Sequence, residues 1–182
     1  MAKLVSKVYG EALFEVAADH GNAVQLMNET AQLMKILEEN PDFDKLMKHP
    51  GIPKQEKLSM VEQTFRGRIS DDLTEFLKIV VTKERYSSLK AIFVYFTGLV
   101  RESEKMGTAY VETAVELTEE QRQAVRNRLL QTTSYRSFDV YYRVDPSLIG
   151  GMVIRVGDRV VDSSIRTKLE DMKKQLLNIQ LG

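Results

Sequence analysis

Histidine, acidic and basic side chains are the groups that do chemistry most readily, and here their spacing argues against it. The chain has two histidines, His20 and His49. Neither has a second histidine or a carboxylate three or four residues away, the spacing that puts two metal ligands on one helix face. Both read as loop-end or surface residues. With no cysteine in the chain, thiol catalysis, disulfide scaffolding and cysteine-ligated zinc are excluded. Gly150-Gly151 has neither the GxxxxGK nor the GxGxxG spacing of a phosphate-cradling loop and reads as close backbone packing or a bulge. Asp145, Asp158 and Asp162 each stand beside a turn or cap, where aspartate bonds its own backbone. Arg122, Arg126, Arg128, Lys168, Lys173 and Lys174 could meet phosphates, but Glu119, Glu120, Glu170 and Asp171 lie among them, which describes a solvated face. No serine is framed as a nucleophile elbow. Binding is therefore expected rather than catalysis, with no cofactor and no metal.

Charge and hydropathy narrow the class of partner. Of 182 residues, 26 are basic and 26 acidic, so the general positive field that draws nucleic acid or an anionic membrane is missing. Residues 1 to 8, MAKLVSKV, run straight into an amphipathic pattern without the apolar core of a signal peptide. Lys90 interrupts the longest apolar window, so no segment is expected to span a bilayer. The chain is expected to be soluble and to meet a membrane only through a partner.

The elements that position these residues fall into two groups. Helix breakers at Gly21-Asn22, Asn40-Pro41, His49-Pro50 and Gly67 divide the first part, and Ser70-Asp71-Asp72 supplies a cap and negative charge for a fifth helix to about Glu84. A sixth helix runs from about Ser87 to Lys105. After Gly107 the pattern changes. Ala109, Val111, Thr113 and Val115 alternate as in a strand, and Thr118-Glu119-Glu120-Gln121 is a capping box that opens a helix to about Thr132. Phe138, Val140, Tyr142 and Val144 mark the next strand. Met152 to Val156 and Arg159 to Asp162 form a hairpin around Gly157-Asp158. A last helix is capped by Ser163 or Ser164 and carries Ile165, Leu169, Met172, Leu176 and Ile179 on one stripe. The expected fold is mainly α, a six-helix bundle over residues 1–105 followed by a small α+β domain over 106–182.

Two helices carry more apolar surface than one contact needs. At 100° per residue, Leu4, Val5, Val8, Tyr9, Ala12, Leu13, Val16 and Ala17 of the first helix fill about 220° of its circumference. Leu73, Phe76, Leu77 and Val80, widened by Ile79 and Val81, fill about 200° of the fifth. A surface helix needs a stripe of little more than about 100°. Either both helices border a groove for an amphipathic helix from another chain, or both are central in the bundle and buried on two sides. Phe14, placed among Lys3, Lys7 and Glu11 on the polar face, favours the first reading.

Val144 to Leu169 reads VDPSLIGGMVIRVGDRVVDSSIRTKL. This run closely resembles the C-terminal signature of the delta subunit family of bacterial F-type ATP synthases, whose mitochondrial relative is the oligomycin-sensitivity-conferring protein. Gly150-Gly151, Val153-Ile154-Arg155-Val156, Gly157-Asp158 and Asp162 with Ile165-Arg166 carry the likeness. Tyr9 with Ala12-Leu13-Phe14, the run from Leu46 through Pro50 to Lys57, and Lys83-Glu84-Arg85 extend it along the chain. The resemblance implies a stator subunit without bond chemistry, at the cytoplasmic face of a bacterial membrane. It implies that the bundle holds the N-terminal helix of an alpha subunit between the first and fifth helices. The matching positions are Tyr9, Ala12, Leu13, Val16, Phe76, Ile79 and Val80. The C-terminal domain is implied to bind the b subunits of the peripheral stalk, through the exposed edge of the last helix. No homo-oligomer is expected. The competing reading is an independent helical adaptor or a nucleic-acid-binding protein, and salt dependence separates the two.

Overall fold

The computed structural model describes residues 2–180, with side chains described for 4–177. The chain divides into two compact units, 1–102 and 103–182, against an expected boundary at 105/106. The first unit is helical: α1 (Ala2–Asp19), α2 (Ala23–Glu39), α3 (Pro41–Lys48), α4 (Lys54–Phe65), α5 (Asp71–Thr82) and α6 (Leu89–Ser103), with a 3₁₀ turn at Tyr86–Ser88 before α6. The second holds β1 (Met106–Thr113), α7 (Glu119–Thr132), β2 (Ser137–Val144), a 3₁₀ turn at Pro146–Leu148, β3 (Met152–Val156), β4 (Arg159–Asp162) and α8 (Ile165–Gln180). This is the mainly α fold with an α+β part that the residue pattern predicts.

Local chemistry sets the element ends. Pro41 occupies the first turn of α3, where a missing N–H costs nothing. The Ser70 hydroxyl accepts from the Leu73 N–H at the start of α5. Thr118 and Gln121 form the reciprocal capping box of α7. The sixth helix starts later than expected because Tyr86–Ser88 forms a tighter turn first. The first strand begins earlier and ends at Thr113, so Val115 lies beyond it and is exposed, outside the expected alternation.

α6 runs through the bundle interior, with Leu89, Ile92, Phe93, Phe96 and Val100 all buried. α1 crosses it at Gly10. A Cβ there would sit 2.7 Å from Tyr95 Cδ1 and 3.3 Å from the Phe96 nitrogen, so only glycine allows this approach. α5 buries Leu73, Thr74, Phe76, Leu77, Val80 and Val81. Its wide apolar arc is thus covered by its own bundle, apart from Ile79.

In the second unit the strand order is β2-β1-β3-β4. β1 and β2 are parallel, joined through α7, because parallel neighbours need a crossover. β3 is antiparallel to both β1 and β4. Ala109, Val111 and Phe138 of the sheet enclose a small core with Val125 and Leu129 of α7.

The start of α8 is held tightly. The Asp162 carboxylate accepts from the Ser164 N–H at 2.8 Å and the Thr167 hydroxyl at 2.7 Å, and the Ser164 hydroxyl accepts from the Thr167 N–H. Gly151 has φ +74°, and a Cβ on it would lie 2.4 Å from the Ser163 carbonyl oxygen. The pair Gly150-Gly151 therefore serves close packing.

Two substitutions test these approaches. Gly10→Ala gains up to about 1 kcal/mol of helix propensity but overpacks a backbone contact at a cost of about 1–3 kcal/mol; a net loss is expected in the urea midpoint. Gly151→Ala combines a left-handed backbone with a clash against a carbonyl and should lose about 2 kcal/mol or more, with the loss confined to the unfolding of the second unit.

Candidate partner-binding site

α1 buries a narrow arc and leaves the rest of its apolar surface uncovered. Leu13 and Ala17 are buried with Gly10. Leu4, Val8, Ala12 and Val16, four residues apart, form a ridge on which Leu4 is 69%, Val8 54% and Val16 42% exposed. On α5, Ile79 is 51% exposed.

The seven positions named from the resemblance thus separate into two groups. Ala12, Val16 and Ile79 are exposed and Tyr9 is half-buried, whereas Leu13, Phe76 and Val80 lie in the bundle core. Phe14 is half-buried. Leu4 and Val8 complete the ridge; they belonged to the wide arc of the first helix, but the family likeness starts at Tyr9 and passed over them.

The end of α1 is tied to the start of α5. The Asp72 carboxylate accepts from His20 Nδ1 and from Asn22 Nδ2, both at 2.9 Å. Glu29 of α2 accepts from the Ser70 N–H at 3.0 Å. The hydrogen bond to Asp72 and its charge hold the His20 imidazole above its ordinary value of 6.5. The His20 and Asn22 bonds hold the Asp72 carboxyl below 3.8. His20 is thus a structural tie, and His49 accepts from the Gly51 N–H in its own turn.

The second unit has its own uncovered surface. Beyond its anchored first turn, α8 is exposed along its described length: Leu169 is 51%, Met172 58% and Leu176 64% exposed. The expected stripe is present, except that the Ile179 side chain lies outside the described residues. On the sheet face opposite the core, Tyr110 and Tyr141 stack with centroids 5.4 Å apart. That pair follows from the β1–β2 register, which places Tyr110 opposite Tyr141. No feature of either strand taken alone announces it.

The basic residues of α7 and α8 are partly committed. Arg122 bonds Glu116 and Glu119 and stands 5.2 Å over the Tyr142 ring; Lys174 pairs with Asp171. Asp145 and Asp162 are turn and cap acceptors. Among the described residues, no group of three or more histidine, cysteine or acidic side chains could hold a metal ion, and no helix is long and apolar enough to cross a membrane.

The chain thus has two independently cored units, each with an exposed apolar helix edge. Comparison with known proteins gives the chain its family. The family model for the ATP synthase delta (OSCP) subunit matches residues 5–176. The chain is 46% identical to the ATP synthase subunit delta of Lachnoclostridium phytofermentans, covering 100% of both. It is 32% identical to that of Gloeobacter violaceus, covering 94% of each. A chain in the mitochondrial ATP synthase hexamer of Toxoplasma gondii shares the fold, with a TM-score of 0.63 at 22% identity, over 94% of this chain and 97% of that one. The chain belongs to the ATP synthase delta (OSCP) subunit family.

The His20–Asp72 tie makes stability depend on pH in a defined sense. The His20 contribution is complete below its ordinary 6.5 and fades as pH rises through its raised value. That of Asp72 is complete above 3.8 and fades as pH falls through its lowered value. The tie is therefore strongest between about pH 4 and 6.5. Asp72→Asn should lower the His20 pKa measured by NMR and remove this component from the pH dependence of the urea midpoint.

Proposed function

We propose that this subunit joins the catalytic head of the synthase to its peripheral stalk through the two surfaces described above. Its family makes it a non-catalytic stator subunit of an F-type ATP synthase, working with other subunits of that complex and peripheral to the membrane. The ridge Leu4, Val8, Ala12 and Val16, with Tyr9 and Ile79, receives the N-terminal helix of an alpha subunit. Leu13, Phe76 and Val80 support that surface from beneath. The α8 stripe receives the b subunits. In a bacterium, the assembly places the chain on the cytoplasmic face of the membrane.

The observation that carries this reading is the apolar edge of α1, which its own bundle leaves uncovered although α5 is almost wholly covered. An amphipathic helix laid on such an edge buries apolar area, stabilising the complex by about 25 cal/mol per Å² before the costs of association. Burial of this kind gives slow dissociation. A stator joint needs that property, because it holds the head still while the central rotor turns and so couples rotation to ATP synthesis.

The test is titration of the isotope-labelled full chain with a peptide of the alpha-subunit N-terminal helix at two salt concentrations. Saturable shifts on α1 and around Ile79, insensitive to salt, are expected; a steep loss with salt would instead mean phosphate-like electrostatic binding. Ala12 is exposed, so Ala12→Asp should leave the melting temperature unchanged while weakening the peptide tenfold or more, about 1.4 kcal/mol. Leu169→Asp with Met172→Asp should abolish pull-down of the b subunits and leave peptide binding intact. Peptide shifts elsewhere in the bundle would overturn the α1 assignment.

A further inference from the structure

The second unit sets the helix α7 against one face of its sheet, over Ala109 and Val111 of β1 and Phe138 of β2. The register carries that face further across. Val111 lies opposite Ile154 and Ile154 opposite Val161, while Ala109 lies opposite Val156 and Val156 opposite Arg159. Directly opposed residues share a face, so Ile154, Val156, Arg159 and Val161 continue the core side of the sheet toward its β4 edge. Between them and α7 opens a cavity of about 550 Å³, within the range of small-ligand sites. Val161, on its wall, is 63% exposed.

The charged lining of this cavity has one sign. Arg128 stands on the edge of α7 that also carries Ala124 and Thr132, four residues to either side. Arg159 comes from the core face of β4. Both line the cavity and both are exposed, so their charges are reachable from solvent. Neither guanidinium forms an ion pair or hydrogen bond among the described residues. The Thr132 and Thr133 hydroxyls donate to the Arg128 and Leu129 carbonyls, which leaves the two guanidinium groups as the free side-chain donors of the lining. No acidic side chain lines it among the described residues. An inward charge on an edge strand also guards against strand pairing, but that role asks nothing of Arg128 on the facing helix.

We propose that the cavity between α7 and the β3–β4 hairpin binds a small amphiphile. Its apolar body sits against Leu129, Ile154 and Val156, and its one anionic head, a carboxylate or a phosphate, is held by Arg128 and Arg159. A cationic occupant would be repelled by both arginines, and a neutral one would gain nothing from them. The site is separate from the α1 ridge and does not depend on the stator reading.

Decanoate, decyl phosphate and decanol share a chain length and differ in the head. Amide NMR titrations of the full chain with each probe, kept below micelle-forming concentrations, should show saturable shifts at Val125, Leu129, Ile154 and Val156. At least one of the anions should bind roughly tenfold tighter than decanol, the span of a hydrogen bond to a charged group; which one does so identifies the head. In the double variant Arg128→Gln with Arg159→Gln that preference should vanish, while decanol binding and the melting temperature hold. Arg128→Lys with Arg159→Lys keeps the charge and should keep most of the preference. Equal binding of all three probes, shifts confined to the α1 ridge or the α8 stripe, or a preference retained in the glutamine variant would overturn the proposal. Shifts of these amides with protein concentration alone, or with a b-subunit peptide but neither anion, would assign the cavity to a second copy or a partner helix and also overturn it.

Discussion

The close approach of α1 to α6 at Gly10 is the constraint on which the bundle's outer surface depends. Because a Cβ would collide with Tyr95 and crowd the Phe96 nitrogen, α1 lies near enough to bury Gly10, Leu13 and Ala17 fully. A helix has one circumference, and burying that arc turns the apolar residues beyond it outward. The exposed ridge is thus the geometric remainder of a tight contact. α5 meets the opposite condition: neighbours cover nearly its whole apolar arc, and only Ile79 emerges.

The second unit reaches a similar outcome by different means. Its core is small, and α7 covers Ala109, Val111 and Phe138 on one face of the sheet. α8 is fastened through its first turn, by Asp162, Ser164 and the Gly150-Gly151 approach. Fixing a helix at one end sets its direction without burying its stripe. The two apolar surfaces of the protein therefore stand on units with separate cores, so a load or a mutation at one surface need not disturb the fold beneath the other.

Much of this was legible in the residues. Breakers, caps and the capping box act through local hydrogen bonds, so Pro41, Ser70, Thr118 and Gly157-Asp158 mark their element ends without help from the rest of the chain. The hairpin Met152–Val156 with Arg159–Asp162 falls where its turn requires. What could not be read depends on distant contacts. Periodicity makes the wide arcs of α1 and α5 look alike, and only tertiary packing decides which stays open. The parallel pairing of β1 with β2, and with it the Tyr110–Tyr141 stack, joins strands separated by a helix. The burial of Tyr86 likewise follows from what surrounds it, since a tyrosine in a turn carries no sequence sign of its burial.

Beyond its first turn, α8 gains little from its own domain, and a helix of 16 residues is marginal in water without tertiary support. On the proposed reading, its helical order and its capture by a partner are then one equilibrium. Every increment of intrinsic helicity, even at Lys168, Glu170 or Lys173 on the solvent side, lowers the ordering cost met on association. On that reading, residues that touch no partner help to set how firmly the subunit is held.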